Sequence, residues 1–318
     1  MLQLDAAAMA QRLPLKPLVQ ALRKMFIAGC EAPQRHTHAV GDAGTVLLMP
    51  AWQAGRYLGV KIINIFPGNS SRGLPGLHAV YLLFDANTGV PVALMDGSEL
   101  TSRRTAAASA LAAHYLARAD VEHLVLLGCG RVAALLPEAM RSVRPGLQRV
   151  TVWNHRQEGA ERLAGALRAQ GLDAHASTEL GITLETAVRS ACIVSCATLS
   201  STPLVQGAWL APGTHLDLIG SFTPTMREAD GLCFARGRVF VDTEEALAKS
   251  GDLLQAVAEG HFSAALTQAD LAQLCRGTHA GRSGPGDITV FKSVGTALAD
   301  LAAAGLVWSG RNNVGPPR

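Results

Sequence analysis

Residues 121–133 read VEHLVLLGCGRVA and residues 149–156 read RVTVWNHR, and these two runs decide the fold. They predict an apolar strand, a tight glycine turn, the start of a helix and, after that helix, a second apolar strand. This order of elements is typical of the phosphate-binding half of a dinucleotide-binding fold. We therefore predict a redox enzyme whose cofactor domain begins well inside the chain.

The glycine turn has the residues that a diphosphate requires. Gly128 allows the sharp turn out of the strand, and Gly130 lacks a Cβ, so the backbone can approach a pyrophosphate closely. The helix that follows offers the N–H groups of Arg131 and Val132 and the positive end of its dipole. The alternative is an ordinary strand-to-helix turn that needs small residues only for packing.

The end of the second strand bears on the choice of cofactor. Folds that prefer NAD usually place Asp or Glu there, to bind the ribose 2′-hydroxyl. This chain has Asn154, His155 and Arg156 instead, so no carboxylate repels a 2′-phosphate and Arg156 can pair with one. We predict NADP(H) in preference to NAD(H). The alternative is that Arg156 is a solvated residue in the first turn of the next helix.

Length and composition exclude several classes of protein. A chain of 318 residues suggests two domains, and the formal net charge of +3 includes no basic block that would bind nucleic acid. The apolar runs are interrupted by Gly, Pro or charged residues before they reach the length of a bilayer. We expect neither nucleic acid nor a membrane as a partner.

The six cysteines indicate the compartment. They include no CxxC pair, and no histidine accompanies Cys192 and Cys196, so we expect no metal site. Reduced thiols of this kind are typical of a cytosolic protein. The predicted localisation is cytoplasmic.

The secondary structure predicted before residue 121 differs from that predicted after residue 156. Residues 1–30 predict a helix, and an alanine-rich helix is predicted over 102–118. Between them, apolar runs and turn sequences predict sequential antiparallel strands over 45–49, 57–66, 78–84 and 90–95.

After residue 156, strands and helices alternate, which predicts a doubly wound parallel sheet. The predicted elements are a helix over 159–170 and strands near Ala174 and over 191–196, 214–219 and 238–241. The tail over 288–307 is predicted to be helical and separate from that sheet. We predict an α/β protein with a Rossmann domain over 118–287 and a second, α+β domain over 1–117 and 288–318.

Several short motifs resemble a known family. They are Gly59-Val60-Lys61-Ile62, Gly73-Leu74-Pro75, Met95-Asp96-Gly97, Arg104-Thr105-Ala106-Ala107, Pro212-Gly213-Thr214-His215 and, over 287–295, DITVFKSVG. Over nearly the whole chain, this ordered set is similar to the ornithine cyclodeaminase/μ-crystallin family. The resemblance implies a Rossmann domain, a second domain for substrate binding and dimerisation, and a homodimer.

The same resemblance implies which residues hold the substrate, a small α-amino or α-imino acid. Arg35, Lys61 and Arg104 would bind its carboxylate, since a guanidinium can clamp a carboxylate with two hydrogen bonds. Lys61 would also give the proton that imine reduction requires, and the alternative for it is a solvated cation on an edge strand. Met49 and His78 are further candidates for the pocket, with a buried structural role as the alternative.

Further residues are implied to contact the cofactor. Thr105 would contact its phosphates. Cys196, Ala197 and Thr198 end one predicted strand and Ser221 follows the next, where ligands bind at the carboxyl ends of parallel strands. For each of these residues the alternative is a plain loop position at a strand end.

One departure from the family bears on the reaction. Cyclodeaminases of the family have an Asp two residues after the glycine that ends the strand near Ile219, and this chain has Phe222 there. A phenyl group can neither accept a proton nor pair with an ammonium, whereas imine reduction requires only a bound carboxylate, a hydride and one proton. We therefore predict an NADP(H)-dependent reductase of a small cyclic ketimine, such as pyrroline-2-carboxylate, or of a 2-oxo acid with ammonia. The alternatives are an NAD-dependent ornithine cyclodeaminase and a non-catalytic protein that binds a small ligand with NADPH.

Overall fold

The computed structural model describes residues 1–310, apart from the side chain of Ser70. The chain divides into two units: unit 1 comprises Met1–Arg104 and the chain from Thr296 onward, and unit 2 comprises Thr105–Gly295. The predicted boundaries, at residues 117/118 and 287/288, both fall inside unit 2. The helix Gly97–Leu116 therefore begins in unit 1 and ends in unit 2.

Both units contain strands and helices. The strands are β1 Leu2–Leu4, β2 His36–Val40, β3 Gly44–Gln53, β4 Tyr57–Ile65, β5 Leu77–Asp85, β6 Pro91–Asp96, β7 His123–Leu127, β8 Arg149–Trp153, β9 Asp173–Ala176, β10 Ile193–Cys196, β11 His215–Leu218, β12 Arg238–Val241, β13 Ala269–Asp270 and β14 Thr289–Lys292. The helices are α1 Ala6–Arg12, α2 Leu15–Ala28, α3 Gly97–Leu116, α4 Arg131–Val143, α5 Gln157–Ala169, α6 Leu184–Arg189, α7 Gly231–Arg236, α8 Glu245–Lys249, α9 Gly251–Ala258, α10 Leu271–Arg276 and α11 Ala297–Ser309. Short 3₁₀ helices span Pro67–Arg72, Gly207–Trp209 and Ala264–Leu266.

Unit 1 is built on a six-stranded sheet with the order β1-β6-β5-β4-β3-β2. Neighbours pair antiparallel as predicted, except that β1 joins β6 in parallel. Side chains alternate between the two faces, as the pleat of a strand requires. One face is buried under α11, which packs on β3 and β4 and against α2, and the register lines up Met49, Lys61, Tyr81 and Met95 across this face.

The helical prediction for residues 1–30 is wrong in its first part. Leu2–Leu4 forms strand β1, and the helical region is divided at Pro14, which lacks the N–H that a continuous helix needs. Helix α2 is amphipathic because Leu15, Leu18 and Leu22 recur on its buried side. It ends at Gly29, whose φ of 76° favours glycine.

Helix α3 begins earlier than the predicted residue 102. The Asp96 carboxylate accepts a hydrogen bond from the Glu99 N–H at 2.7 Å, which satisfies a donor in the first turn and starts the helix at Gly97. Strand β2 is absent from the prediction because its side chains are all exposed and give no apolar alternation.

Unit 2 contains an eight-stranded, wholly parallel sheet with the order β13-β12-β14-β11-β10-β7-β8-β9. Helices connect the successive strands of this sheet, except that only the short 3₁₀ helix Gly207–Trp209 lies between β10 and β11, and this arrangement confirms the predicted doubly wound Rossmann architecture. The strand order reverses between β7 and β10. In such sheets, ligands bind outside the carboxyl ends of the strands at this point.

The prediction that 288–307 is helical and separate from the parallel sheet is wrong for its first residues. Thr289–Lys292 forms β14, a fully buried strand that pairs with β11 and β12. A strand buried on both faces shows a continuous apolar run rather than alternation, so its pattern also suits a buried helix. Helix α11 begins only after Thr296, whose hydroxyl accepts from the Leu298 N–H.

Two negative findings concern residues 1–310. In this range no helix is both long enough and apolar enough to cross a bilayer. The same residues contain no group of three His, Cys, Asp or Glu side chains arranged to hold a metal ion.

Candidate active site

Unit 1 holds a buried group of three charges on its sheet. The Nζ of Lys61 lies 2.6 Å from Oδ2 of Asp300, and the Nε of Arg104 lies 2.8 Å from Oδ1 of the same carboxylate. Lys61, Arg104 and Asp300 are 1%, 6% and 0% exposed. We call these residues the Lys61–Asp300–Arg104 cluster.

Three elements bring the cluster together. Lys61 stands in the middle of β4 on the buried face, Arg104 follows from α3, and Asp300 lies in the first turn of α11, which packs on β4. The solvated edge-strand alternative for Lys61 is therefore excluded, since β4 is an interior strand and the side chain is buried. Arg103 lies on a more open side of α3 and pairs with Glu99 at 2.6 Å.

Burial and neighbouring charges set the ionisation of the cluster. Burial lowers the pKa of Lys61 to about 8, Asp300 opposes this shift, and the charges of Arg104 and Arg35 add to it. Burial alone would raise the pKa of Asp300, but Arg104 and Lys61 outweigh it and hold that pKa below its ordinary value. At neutral pH the cluster is therefore a carboxylate between two cations.

Each cation keeps hydrogen-bond donors for a ligand. Arg104 uses its Nε for Asp300, and its two terminal amino groups have no partner among residues 1–310. The Lys61 ammonium has three donors, and Asp300 is its ion-pair partner in that range. These donors suit the two oxygens of a carboxylate and one further acceptor.

The structure places the other predicted substrate residues differently. Met49 pairs with Lys61 in register and shares its buried face. Arg35 is half-buried just before β2, and its charge acts on Lys61. His78 pairs with Asn64 and is exposed on the opposite face of the sheet, so the register separates it from Lys61.

Asp300 belongs to the cluster but was not predicted from the sequence. It lies 196 residues after Arg104, too far along the chain for a local pattern to connect them. The sequence nevertheless contained a signal, because Asp300 is the one charged residue of helix α11 and buried carboxylates require partners.

The glycine turn of unit 2 is shaped as a cradle. Gly128 has a φ of 104°, and a Cβ on it would lie 2.5 Å from the Ala197 carbonyl oxygen. Gly130 has an extended backbone, and a Cβ there would meet no atom within 4 Å. The first glycine is therefore required by the fold, whereas the second faces open space that a diphosphate would fill.

The start of α4 faces the same turn. Gly130 is its N-cap residue and supplies no side-chain acceptor to the first turn. The N–H groups of Arg131 and Val132, which lie in that turn, fit a phosphate together with the dipole of the helix. Arg131 is exposed and Val132 is half-buried.

The end of β8 presents the residues predicted to select the cofactor. Asn154 is half-buried, and its amide donates to the Arg156 carbonyl at 2.9 Å. His155 and Arg156 are exposed, and Arg156 is the N-cap of α5. An anion at this strand end would therefore meet a guanidinium before any carboxylate, since the first acid of α5 is Glu158.

Residues at the ends of β10 and β11 are held by a buried acid that the sequence did not reveal. Glu228 accepts hydrogen bonds from the Thr198 N–H at 2.7 Å, the Thr198 hydroxyl at 2.9 Å and the Gly220 N–H at 2.7 Å. Burial raises the pKa of Glu228 to about 7, although the charge of Lys292 opposes the shift. Glu228 thus fixes two loops that follow neighbouring strands.

The remaining cofactor candidates differ in what they can offer. Ala197 donates its N–H to the Leu127 carbonyl, so its backbone joins the glycine turn. Cys196 turns its side chain into the apolar core, and the Ser221 hydroxyl donates to the Met226 carbonyl and accepts from the Asp252 N–H. The side chains of Cys196 and Ser221 therefore already have contacts within unit 2. Thr105 is half-buried on α3 as the first residue of that unit.

Comparison with known sequences gives the following matches. The profile of the Ornithine cyclodeaminase/mu-crystallin family matches residues 7–313. A relative from Paracoccus denitrificans, Delta(1)-pyrroline-2-carboxylate reductase, is 39% identical over 300 residues, which cover 93% of this chain and 92% of the relative.

Two solved structures are similar over almost their whole length. Thermococcus litoralis Delta(1)-pyrroline-2-carboxylate reductase in complex with NADH and L-proline has a TM-score of 0.89 and 30% identity, and the match covers 100% of both chains. An archaeal alanine dehydrogenase dimer with bound NAD has a TM-score of 0.90 and 29% identity, covering 99% of this chain and 98% of that one. These matches confirm the predicted fold class and the family resemblance.

The glycine cradle gives a direct test of dinucleotide binding. We expect Gly130→Val to fold normally, because the site has space and an extended backbone, yet to weaken NADPH binding on the order of tenfold or more by filling the place of the phosphates. Calorimetric titration measures the affinity and thermal melting measures the stability. Gly286→Val is the matched control, since Gly286 also faces open space. Unchanged NADPH affinity in Gly130→Val would show that the dinucleotide binds elsewhere.

Proposed function

This chain belongs to the ornithine cyclodeaminase/mu-crystallin family, and from that premise we propose that it is an NADPH-dependent reductase of small α-imino acids. One observation carries the proposal: the Lys61–Asp300–Arg104 cluster combines free guanidinium donors with a buried ammonium that loses its proton easily. An imino acid has the matching groups, a carboxylate to be held and a nitrogen that takes up a proton.

The chemistry divides among a few side chains of unit 1. The terminal amino groups of Arg104, assisted by Arg35, hold the substrate carboxylate and orient the α-carbon. A reduced nicotinamide, when bound, would supply the hydride for that carbon. As the C=N electron pair moves to nitrogen, Lys61 transfers one proton from Nζ to it and later regains a proton from solvent. The product is the amino acid.

The substrate we favour is a cyclic ketimine such as pyrroline-2-carboxylate. The relative from Paracoccus denitrificans is named for the reduction of this compound. In this chain Phe222 is 41% exposed on the loop after β11, and it offers no charge for a second amine. An apolar ring therefore suits the chain better than a substrate with a free side-chain ammonium.

A paired assay tests the reaction. With pyrroline-2-carboxylate and NADPH we expect proline in equal amount to the cofactor oxidised, and Lys61→Met should lower kcat about a hundredfold because the proton donor is lost. Lys16→Met, on the exposed side of α2, is the control. Proline formed from ornithine without net change of the cofactor would instead identify a cyclodeaminase. Cofactor binding without turnover of any imine would identify a binding protein.

We further propose a preference for NADPH over NADH, carried by Arg156 and its neighbour His155. Both side chains are exposed after β8, where a 2′-phosphate would bind, and the position that usually holds an acid in NAD-dependent folds is Asn154. NADH remains a weaker alternative donor.

The preference for NADPH can be tested with one arginine. Arg156→Ala should raise the KM for NADPH about tenfold, because a charge-assisted hydrogen bond to the 2′-phosphate is lost, and should leave the KM for NADH unchanged. Arg162→Ala, exposed on the same helix, serves as control. Equal effects on both cofactors would contradict the assignment.

The outer face of the unit 1 sheet supports a homodimer. Val60, Ile62, Leu82 and Leu94 are half-buried on it, and Val80 is 41% exposed among them. A contiguous apolar face of this kind marks an interaction surface. The archaeal alanine dehydrogenase of similar structure is a dimer.

We also propose a cytoplasmic location. All six cysteines are free thiols, and thiols stay reduced in the cytoplasm.

Light scattering tests the dimer. The wild-type protein should have twice the chain mass of 33.3 kDa, and Val80→Asp should yield monomers, because a charge at the centre of an apolar interface is desolvated without a partner. Val90→Asp changes an exposed valine in the turn before β6 and should remain dimeric. A dimeric Val80→Asp protein would place the interface on another face.

A further inference from the structure

We propose that Asp300 is a positioning residue of the reaction: it keeps the Lys61 side chain protonated and directs both cations of the cluster toward the substrate. The inference rests on the proposed function and assigns the task of one further residue in the same site. Its basis is geometric, since each oxygen of a single buried carboxylate holds a different cation, at 2.6 and 2.8 Å.

The first step concerns Arg104. Asp300 accepts from the Nε of Arg104, which lies on one edge of the guanidinium plane. A partner on that atom fixes the plane and leaves both terminal amino groups for a second carboxylate. Asp300 therefore orients the clamp for the substrate without occupying the donors that the substrate uses.

The second step concerns Lys61. A buried ammonium tends to lose its proton, and every charged group that acts on it except Asp300 favours that loss. Arg104 faces it from α3 and Arg35 from the segment before β2, and both repel a positive charge. Tyr81, its partner on β5, stays neutral, because burial raises the pKa of the phenol well above its ordinary value. Asp300 is thus the group that keeps a proton on Lys61 at neutral pH.

The third step concerns the surroundings of Asp300. It is fully buried on α11, and Lys61 is the one charged residue of β3 and β4, the strands on which that helix packs. The Tyr81 hydroxyl has no hydrogen-bond partner among residues 1–310 and points along β5 toward Gly59, where a Cβ would clash with it. Among the described residues, no second carboxylate buried in this layer could replace Asp300 if its charge were removed.

The test compares Asp300→Asn with wild type and with Glu99→Gln, which removes the carboxylate of the neighbouring Glu99–Arg103 pair on α3. We expect the alkaline limb of kcat/KM for imine reduction near pH 8 in the wild type and about one pH unit lower or more in Asp300→Asn. Glu99→Gln should keep the wild-type limb. Titration of the substrate itself is common to all three proteins and cancels in the comparison.

A direct measurement separates this proposal from the proposed function. NMR titration of the lysine ¹³Cε signals, with Lys61→Met to assign the Lys61 signal, reports its pKa whether or not an imine is reduced. We expect this pKa to fall in Asp300→Asn and to stay unchanged in Glu99→Gln. If the wild type reduces no imino acid, the proposed function fails, and the titration still decides what Asp300 does to Lys61.

Asp300→Glu covers the case in which the Asn variant does not fold. The longer side chain keeps the charge but moves the carboxylate, so the pKa of Lys61 should shift down by less than in the Asn variant, and the KM for the imino acid should rise as Arg104 loses its orientation. A Lys61 pKa and a pH profile that match the wild type in whichever variant folds would overturn the proposal.

Discussion

The ion pairs of Asp300 impose the main constraint on unit 1. Two cations that belong to a strand and a helix of the first 104 residues can be buried only with a compensating charge, and that charge comes from α11, near the other end of the chain. Helix α11 must therefore return to the sheet that begins the chain. The discontinuous composition of unit 1 follows from this requirement as much as from apolar packing on β3 and β4.

Unit 2 uses buried acids in another way. Glu228 and Asp252 accept backbone N–H groups of loops, and Asp217 accepts the hydroxyls of Ser109 and Ser195 at 2.9 and 2.5 Å. Burial raises the pKa of Glu228 to about 7 and that of Asp217 to about 6. At neutral pH the ionised form of each carboxyl is therefore only weakly favoured over the protonated form. Glu228 fixes the loops after β10 and β11, whereas Asp217 joins β11 to β10 and to α3.

Sequence patterns predicted strands and turns well where the conformation depends on residues that are neighbours in the sequence. The strand over 238–241 and the glycine turn at Gly128 are examples, since apolar runs and a positive φ are local properties. Strand β14 was missed because a buried strand and a buried helix have similar apolar runs. Asp300 and Glu228 act on partners 196 and 30 residues away, and their roles appear only once tertiary structure brings those partners together.

The charges of the cluster favour an anionic ligand beside it. Lys61 and Arg104 carry two positive charges against the single negative charge of Asp300, and the half-buried Arg35 adds a third cation nearby. Such an excess is unfavourable away from water: burial lowers the pKa of Lys61, and the charges of Arg104 and Arg35 lower it further. A carboxylate ligand offsets one positive charge and so raises the affinity of Lys61 for its proton. Under the proposed function, binding of an imino acid would therefore keep Lys61 protonated as the donor, whereas a neutral compound of the same shape would leave Lys61 closer to losing its proton before the reaction begins.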